Sequence, residues 1–443
     1  MIQPDQIEQY RENNRIEAKK ALGGLPKSIW ETYSAFANTL GGVILLGVEE
    51  YKDKSFHTVD LPDPQKLVGE FLAILNNKEK VSVNILTNKD IRIETVQGHR
   101  IIMIEVPRAR RHEKPVYVDG SLYSGTYRRN GEGDYHCTKA EIEAMRRDAA
   151  VHSADAEVFP LLDLSAFDHD TINAYRKRYS LARNPDQTMS VLSFLQEINA
   201  VDEEGHPTMG GLLMFGQEDI LLREIPSYSV CLDGHPLKMN VFTFYSHVIA
   251  HLRTVLDTEE GSAIDKVLKE ALANCVTNAD YQIGIPIRVQ TTEKQVIMTN
   301  PGGFRIPVAH AKSGGLSDPR NSGMMRMFNL IQIGEHTGSG IPSIFHAWRS
   351  EGFHEPSILQ TFQPEETKLV LPLTEDDANT TTSASPEEIY ELIVSYLTDR
   401  REASRREIAE YLHLSETQAK KYLTSMIRQQ LVVNADRLYR LKA

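Results

Sequence analysis

Lys269-Glu270-Ala-Leu-Ala-Asn274-Cys-Val-Thr-Asn278-Ala-Asp280-Tyr281 is the stretch on which the reading of this chain turns. It reads as a helix, and Glu270 and Asn274, four apart, share one face of it. An amide and a carboxylate stacked in this way suit a nucleotide site. The amide oxygen can ligate Mg²⁺, and the carboxylate can orient or deprotonate a water. Such a pair is common on solvated helix faces, so its neighbours decide. Asn300-Pro-Gly-Gly303 directly follows the apolar strand at 296–299, setting a polar side chain beside a tight backbone. Gly334-Glu-His-Thr-Gly338-Ser-Gly340-Ile341 then opens a helix near Pro342, where exposed N–H groups can cradle phosphates.

In this order the motifs resemble the GHKL ATPase superfamily (gyrase, Hsp90, histidine kinases, MutL), in the divergent branch found in predicted transcriptional regulators. The likeness runs over residues 270–356 and includes Pro319-Arg320-Asn321. The resemblance implies a GHKL-like α/β sandwich that binds ATP with Mg²⁺. Glu270 would be the general base, Asn274 the Mg²⁺ ligand, Asn300 the adenine contact, and Gly338 and Gly340 the phosphate lid. Asn278, Asp280, Gly302 and Gly303 complete the expected cofactor set. Two departures stand out. The superfamily usually has Asp where Asn300 stands; Asn still accepts a hydrogen bond from the adenine amino group, without charge. The branch's His-Arg-Asp-Tyr reads Asn278-Ala279-Asp280-Tyr281 here. No Gly-x-x-x-x-Gly-Lys-Ser/Thr occurs, which excludes a P-loop motor.

Towards the N-terminus, Ser34-Ala-Phe-Ala-Asn-Thr-Leu-Gly-Gly and the later Gly47-Val48-Glu49 resemble the AlbA_2 domain shared with Schlafen proteins, over residues 8–148. Glu17-Ala-Lys19 matches that family's Glu-Phe-Lys. The family implies nucleic-acid binding, and its Schlafen members include metal-dependent RNases with two Glu five apart and a third acid. Glu12, Glu17 and Glu49 (or Glu50) are the candidates for that set, and would hold Mg²⁺ or Mn²⁺. Lys19, Arg128 and Arg129 are the expected phosphate contacts. Arg108, Arg110, Arg111 and Lys114 form a second basic run, whose alternative is a solvated loop face.

Residues 374–385 are Thr/Ser/Asp/Asn/Ala-rich and read as a linker. Beyond it, Ile389, Leu392, Ile393, Tyr396 and Leu397 recur at helical spacing. Ser404 and Glu407 form a capping box, a second helix runs over 416–429, and two short strands flank Asn434-Ala-Asp-Arg. Helix, turn, helix, hairpin is the winged helix-turn-helix order. Ala419, Tyr422, Leu423 and Met426 would face inward, leaving Lys420, Lys421 and Arg428 for nucleic acid.

The remaining expectations follow from the totals. At 443 residues the chain holds several domains. The organisation expected is multidomain α+β: an AlbA_2-like α/β module (1–150), a mixed connecting region (151–235), a GHKL-like domain (236–373), the linker, and the winged helix (386–443). Three scattered cysteines exclude a disulfide scaffold and a zinc ribbon. Polar residues 1–15 and short apolar runs point to a cytoplasmic protein without a membrane span. A net charge of −12 argues against nonspecific coating of nucleic acid. The function expected is ATP- and nucleic-acid-binding transcriptional regulation, with DNA the first partner, RNA the second, and self-association through the nucleotide lid. The alternative is a metal-dependent nuclease gated by the ATP-binding domain. Strands are expected at 81–86, 91–95 and 100–106, a hairpin around Asp119-Gly120, and a helix capped by Thr138 and Glu141.

Overall fold

The structure is a computed structural model, and it describes residues 13, 15–183, 189–315, 317–334, 340–362, 364–374, 386–400, 402–412, 416–428, 431–435 and 438–441. These fall into two compact units. The first comprises residues 1–292, 296–347 and 356–370; the second comprises 293–295, 348–355 and 371–443.

The first unit begins with a four-stranded sheet in the order Ile16–Lys19, Gly42–Leu46, His99–Val106, Ile91–Val96. Only the first pair is parallel, with Glu17 opposite Ile44. Both faces are covered, which explains the unbroken apolar run at 43–46: Ile44 and Leu46 enter one core while Leu45 enters the other. The helix Ile29–Asn38 buries every residue but Glu31, so its polar members must be satisfied internally. Asn38 donates to the carbonyls of Val116 (2.8 Å) and Tyr127 (2.9 Å) and accepts from Val116 N (2.9 Å). Ser34 donates to Val116 O and accepts from Tyr127 N. The Ser34–Asn38 motif is therefore a clasp for the 116–127 segment. At Gly41 a Cβ would lie 2.8 Å from Val106 O, on a backbone with φ +76°.

Two local expectations are corrected. Residues 81–86 are not a strand; only Val81 bridges, to Val118. Asp119 and Gly120 do turn with positive φ, but the flanks form single bridges rather than a ladder. The paired strands lie further on, Tyr127–Asn130 with Gly133–His136. By contrast, Thr138 and Glu141 cap the helix Lys139–Ala149 reciprocally, as expected.

The apolar run at 212–215 belongs to the wholly buried helix Met209–Phe215, whose Phe215 packs against Phe167, Tyr175 and Phe242. This region is tied to the part that follows: Tyr175 donates to Met327 O (2.7 Å), and the Asp155 carboxylate accepts from Met324 N (2.7 Å) at the start of the helix Ser322–Leu330. A six-stranded sheet follows, in the order His235–Leu237, Val230–Leu232, Ile287–Thr291, Gln295–Pro301, Glu365–Pro372, Ser357–Phe362. The helix Ala263–Asn278 packs beside the helix Val241–Val255.

In the second unit, helices Pro386–Arg400, Arg405–Tyr411 and Glu416–Arg428 join a three-stranded sheet ordered Ala403–Ser404, Leu438–Leu441, Val432–Ala435. Ile389, Ile393, Leu397, Leu423 and Met426 form its core, while Leu392 stays exposed. Ser404 and Glu407 make the expected reciprocal cap. No helix among the described residues is long and apolar enough to cross a membrane.

Candidate functional site

The helix Ala263–Asn278 is set at both ends. Ser262 caps its start by accepting from Asp265 N, and the buried Asp265 carboxylate is held by Arg253 (2.7 Å) and Lys269 (2.9 Å). At its other end the Asn321 amide donates to the carbonyls of Thr277 (3.1 Å) and Ala279 (2.8 Å), while Arg320 donates to Asn278 O. Pro319-Arg320-Asn321 is thus a C-terminal cap built from a distant segment, with a cation at the negative end of the helix dipole.

Midway along, Asn274 Nδ2 donates to the Glu270 carboxylate at 2.9 Å. That bond engages the amide nitrogen and leaves the amide oxygen as the lobe able to accept or ligate. Gly340 closes on the same pair: a Cβ there would lie 2.2 Å from Glu270 Oε1 and 3.3 Å from Asn274 Nδ2. The Asn300 amide nitrogen donates to Pro301 O (3.2 Å) and Asn278 O (3.5 Å), again leaving its oxygen as an acceptor. Glu270, Asn274, Asn278, Asn300, Gly303 and Gly340 all line one cleft of about 890 Å³. Met298, Ile306, Ile341, Ile358 and Leu369 give it apolar walls, and Thr367, Arg305 and Asp318 add polar groups. The chemistry on offer is two carboxylates, a guanidinium, three amides and an apolar slot.

Not every expected cofactor residue reaches this cleft. Asp280 turns instead to Arg147 (3.0 Å), which draws it out of the lining. Gly302, at φ +91°, leaves room for the Arg320 guanidinium, which a Cβ would meet at 2.5 Å; its carbonyl accepts from Thr367 Oγ1. Gly338 lies outside the described residues. Cys275 lines the cleft, but burial pushes its thiol up to about 12, so it is no nucleophile at neutral pH. Arg305, Asp318 and Thr367 carried no signal in the sequence, because each reaches the cleft only through the chain's return across the sheet.

The N-terminal acids are arranged differently from the expectation. Glu17 is buried between Lys19 (2.6 Å) and Arg129 (2.8 Å), Glu49 pairs with Lys20 (2.8 Å), and Glu50 with Lys54 (3.6 Å). The carboxylates of Glu17, Glu49 and Glu50 do not all come within 4.8 Å of one another. Glu12 lies outside the described residues. Two cations against one carboxylate neutralise the charge that a divalent ion would need. Arg129 is no surface phosphate contact either: it is 3% exposed, bonded to Glu17 and Asp134, and stacked over Phe36 at 5.2 Å. Lys19 is engaged by Glu17 and Arg128 by Glu141 (2.9 Å).

A second cluster of basic residues lies elsewhere, interleaved with Asp90, Glu105 and Asp318. A groove of about 2270 Å³ is lined by Arg15, Arg108, Arg110, Arg111, Arg305 and His112, beside the Gly41-Gly42 backbone. In the second unit Arg428 is exposed; the side chains of Lys420 and Lys421 lie outside the described residues.

Comparison with known proteins follows the same divisions. Residues 12–138 match the family model "Schlafen, AlbA_2"; residues 143–231 match a domain of unknown function, DUF8451. Residues 284–371 match HATPase_c_4, described as "Putative ATP-dependent DNA helicase recG C-terminal". No curated protein matches the chain. Among solved structures, the DIP2311 protein of Corynebacterium diphtheriae is 17% identical over 97% of this chain and 79% of its own, with a TM-score of 0.41. That likeness is too distant to assign a shared fold. The N-terminal domain of a "Putative ATP-dependent DNA Helicase RecG-related Protein" from Nitrosomonas europaea is 31% identical over 31% of this chain and 95% of that domain, with a TM-score of 0.25. The chain therefore joins a Schlafen AlbA_2 domain to a RecG-type C-terminal HATPase_c_4 domain, the make-up of a nucleic-acid-related protein.

Proposed function

We propose that the protein binds ATP with Mg²⁺ in the cleft beside the helix Ala263–Asn278 and uses nucleotide occupancy to regulate nucleic-acid binding, as a transcriptional regulator. The observation that carries this reading is the meeting of Glu270, Asn274, Asn300 and Gly340 around one cleft. In it, Asn274 Oδ1 holds the magnesium ion, Asn300 Oδ1 accepts from the adenine amino group, and Glu270 orients water at the phosphate end. Bound ATP supplies a phosphoanhydride whose charge the metal neutralises. The apolar walls exclude water from the base. The GHKL-like character of this part rests on those roles, and the HATPase_c_4 match supports it.

Nucleic acid meets the chain at two places in this reading. One is the arginine-lined groove of the first unit, in keeping with the AlbA_2 match. The other is the second unit, whose order of helices and hairpin fits a winged helix presenting the helix Glu416–Arg428 to DNA. A metal-dependent nuclease at Glu17 is not proposed, since that carboxylate is already engaged by two cations.

Titrating the full chain with a fluorescent ATP analogue and Mg²⁺ tests the assignment. Asn274→Ala is expected to weaken binding by about tenfold or more, the loss of one charge-assisted contact. A variant that binds as tightly as the parent removes the site, and a parent that binds no nucleotide removes the function.

A further inference from the structure

Arg108 and Lys114 belong to the basic run of the sequence, and the nucleotide cleft uses neither. They line a second cavity, beside the helix Lys139–Ala149 of the first unit. Five cationic side chains face it against three acidic ones. Three of the cations have partners: Arg111 is held by Asp318 (2.6 Å), Arg305 by Asp148 (3.2 Å) and Arg128 by Glu141 (2.9 Å). Arg108 and Lys114 differ. Among the described residues no carboxylate comes within ion-pair distance of either, and both lean on neutral carbonyls: Arg108 on Phe304 O (2.7 Å), Lys114 on Asn38 O (2.6 Å). Glu365 lines the same cavity without an ion pair to them. One more donor is buried with no acceptor, Arg128 Nη1.

The carboxylates of Glu365 and Asp148 act on both cations from beyond ion-pair distance, and a charge buried without direct pairing still costs several kcal/mol. The strain shows in Lys114, whose ammonium is pulled down to about 7 by burial and then by the neighbouring Arg108. An oxyanion in the cavity would relieve it, offering several acceptor oxygens to guanidinium and ammonium donors at once. We propose that this cavity is a binding site for a phosphate group, held by Arg108 and Lys114 with Arg128 as the third donor. It is separate from the nucleotide cleft, with which it shares only Phe304 and Arg305. It opens toward the arginine-lined groove, sharing Arg108 and Arg111 with it. The phosphate has two sources of the same chemistry: the free ion, or the phosphorylated end of a strand lying in that groove.

Calorimetric titration of the full chain distinguishes them, using inorganic phosphate, a 5′-phosphorylated single-stranded oligonucleotide, and its 5′-hydroxyl counterpart. Saturable phosphate binding is expected, weakened by about tenfold or more in Arg108→Gln and in Lys114→Met. The second variant removes a buried charge without adding one and is expected to melt no lower than the parent, so a folded protein reports in either case. Equal affinity for the two oligonucleotides assigns the site to the free ion. A preference for the phosphorylated end, lost in both variants, assigns it to the strand. The proposal is overturned if neither phosphate nor the phosphorylated oligonucleotide binds at about 10 mM, or if both variants bind like the parent. It is equally overturned if Asn274→Ala, rather than Arg108→Gln, abolishes phosphate binding, because the ion then sits in the nucleotide cleft.

Discussion

Gly340 and Arg129 show how single side chains separate packing from function. A methyl group at Gly340 cannot coexist with the Glu270 carboxylate 2.2 Å away, so Gly340→Ala must displace either the helix Gly340–Ser350 or the carboxylate. We expect Gly340→Ala to weaken ATP-analogue binding by about tenfold or more, measured in the same titration as Asn274→Ala. Undiminished affinity would mean that Glu270 plays no part in the site. Arg129 makes the opposite case. Its removal leaves Glu17 and Asp134 uncompensated, and Arg129→Met is expected to cost roughly 3–5 kcal/mol in urea unfolding. A surface phosphate contact would cost almost nothing there and would lower nucleic-acid affinity instead. Both residues were visible in the sequence, but their surroundings were not. A glycine in a glycine-rich turn and an arginine in a basic pair look the same whether they meet a ligand or a neighbour.

At the scale of elements, the helix Ala263–Asn278 depends on residues that lie far from it in the chain. Its last carbonyls are satisfied by Asn321, which is 1% exposed. Asn321→Ala leaves the Ala279 carbonyl buried without its donor, and a loss of about 1–3 kcal/mol is expected by thermal or urea melting. An unchanged midpoint would show that water replaces the amide. The helix itself was legible in the sequence, as were its acid–amide pair, the strand that leads into Asn300 and the Thr138–Glu141 cap. Residues 81–86 were misread because alternation marks a half-buried extended segment whether or not a partner strand runs beside it. The helix Met209–Phe215 was equally ambiguous: a short run buried on all sides has no periodicity to separate helix from strand.

At the scale of the whole molecule, Asp148, on the helix Lys139–Ala149, ties that helix to the part matched by HATPase_c_4 through Arg305 and Arg320. Burial alone would push its carboxyl up; the two guanidiniums prevail and hold it at about 2, below the usual 3.8. A depressed carboxyl contributes stability that is complete above its ordinary value and lost as pH falls through the folded one. Acidification from about pH 4 to 2 is therefore expected to remove roughly 2 kcal/mol at this seam. Asp148→Asn should be less stable at neutral pH and lose less on acidification; parallel curves for the two proteins would refute the linkage. By itself the amino-acid sequence determined the local periodicities, the caps, the glycine turns and the absence of a P-loop, because these depend on neighbours within a few residues. Tertiary structure alone decided which charges were left over. Ion pairs such as Glu17–Arg129, Asp148–Arg320 and Arg111–Asp318 join residues 112 to 207 positions apart or close to it, and no spacing rule reaches that far. Whether a cation binds a ligand or an internal acid depends on which segment the fold brings opposite it, since a buried charge takes whatever counter-charge is nearest.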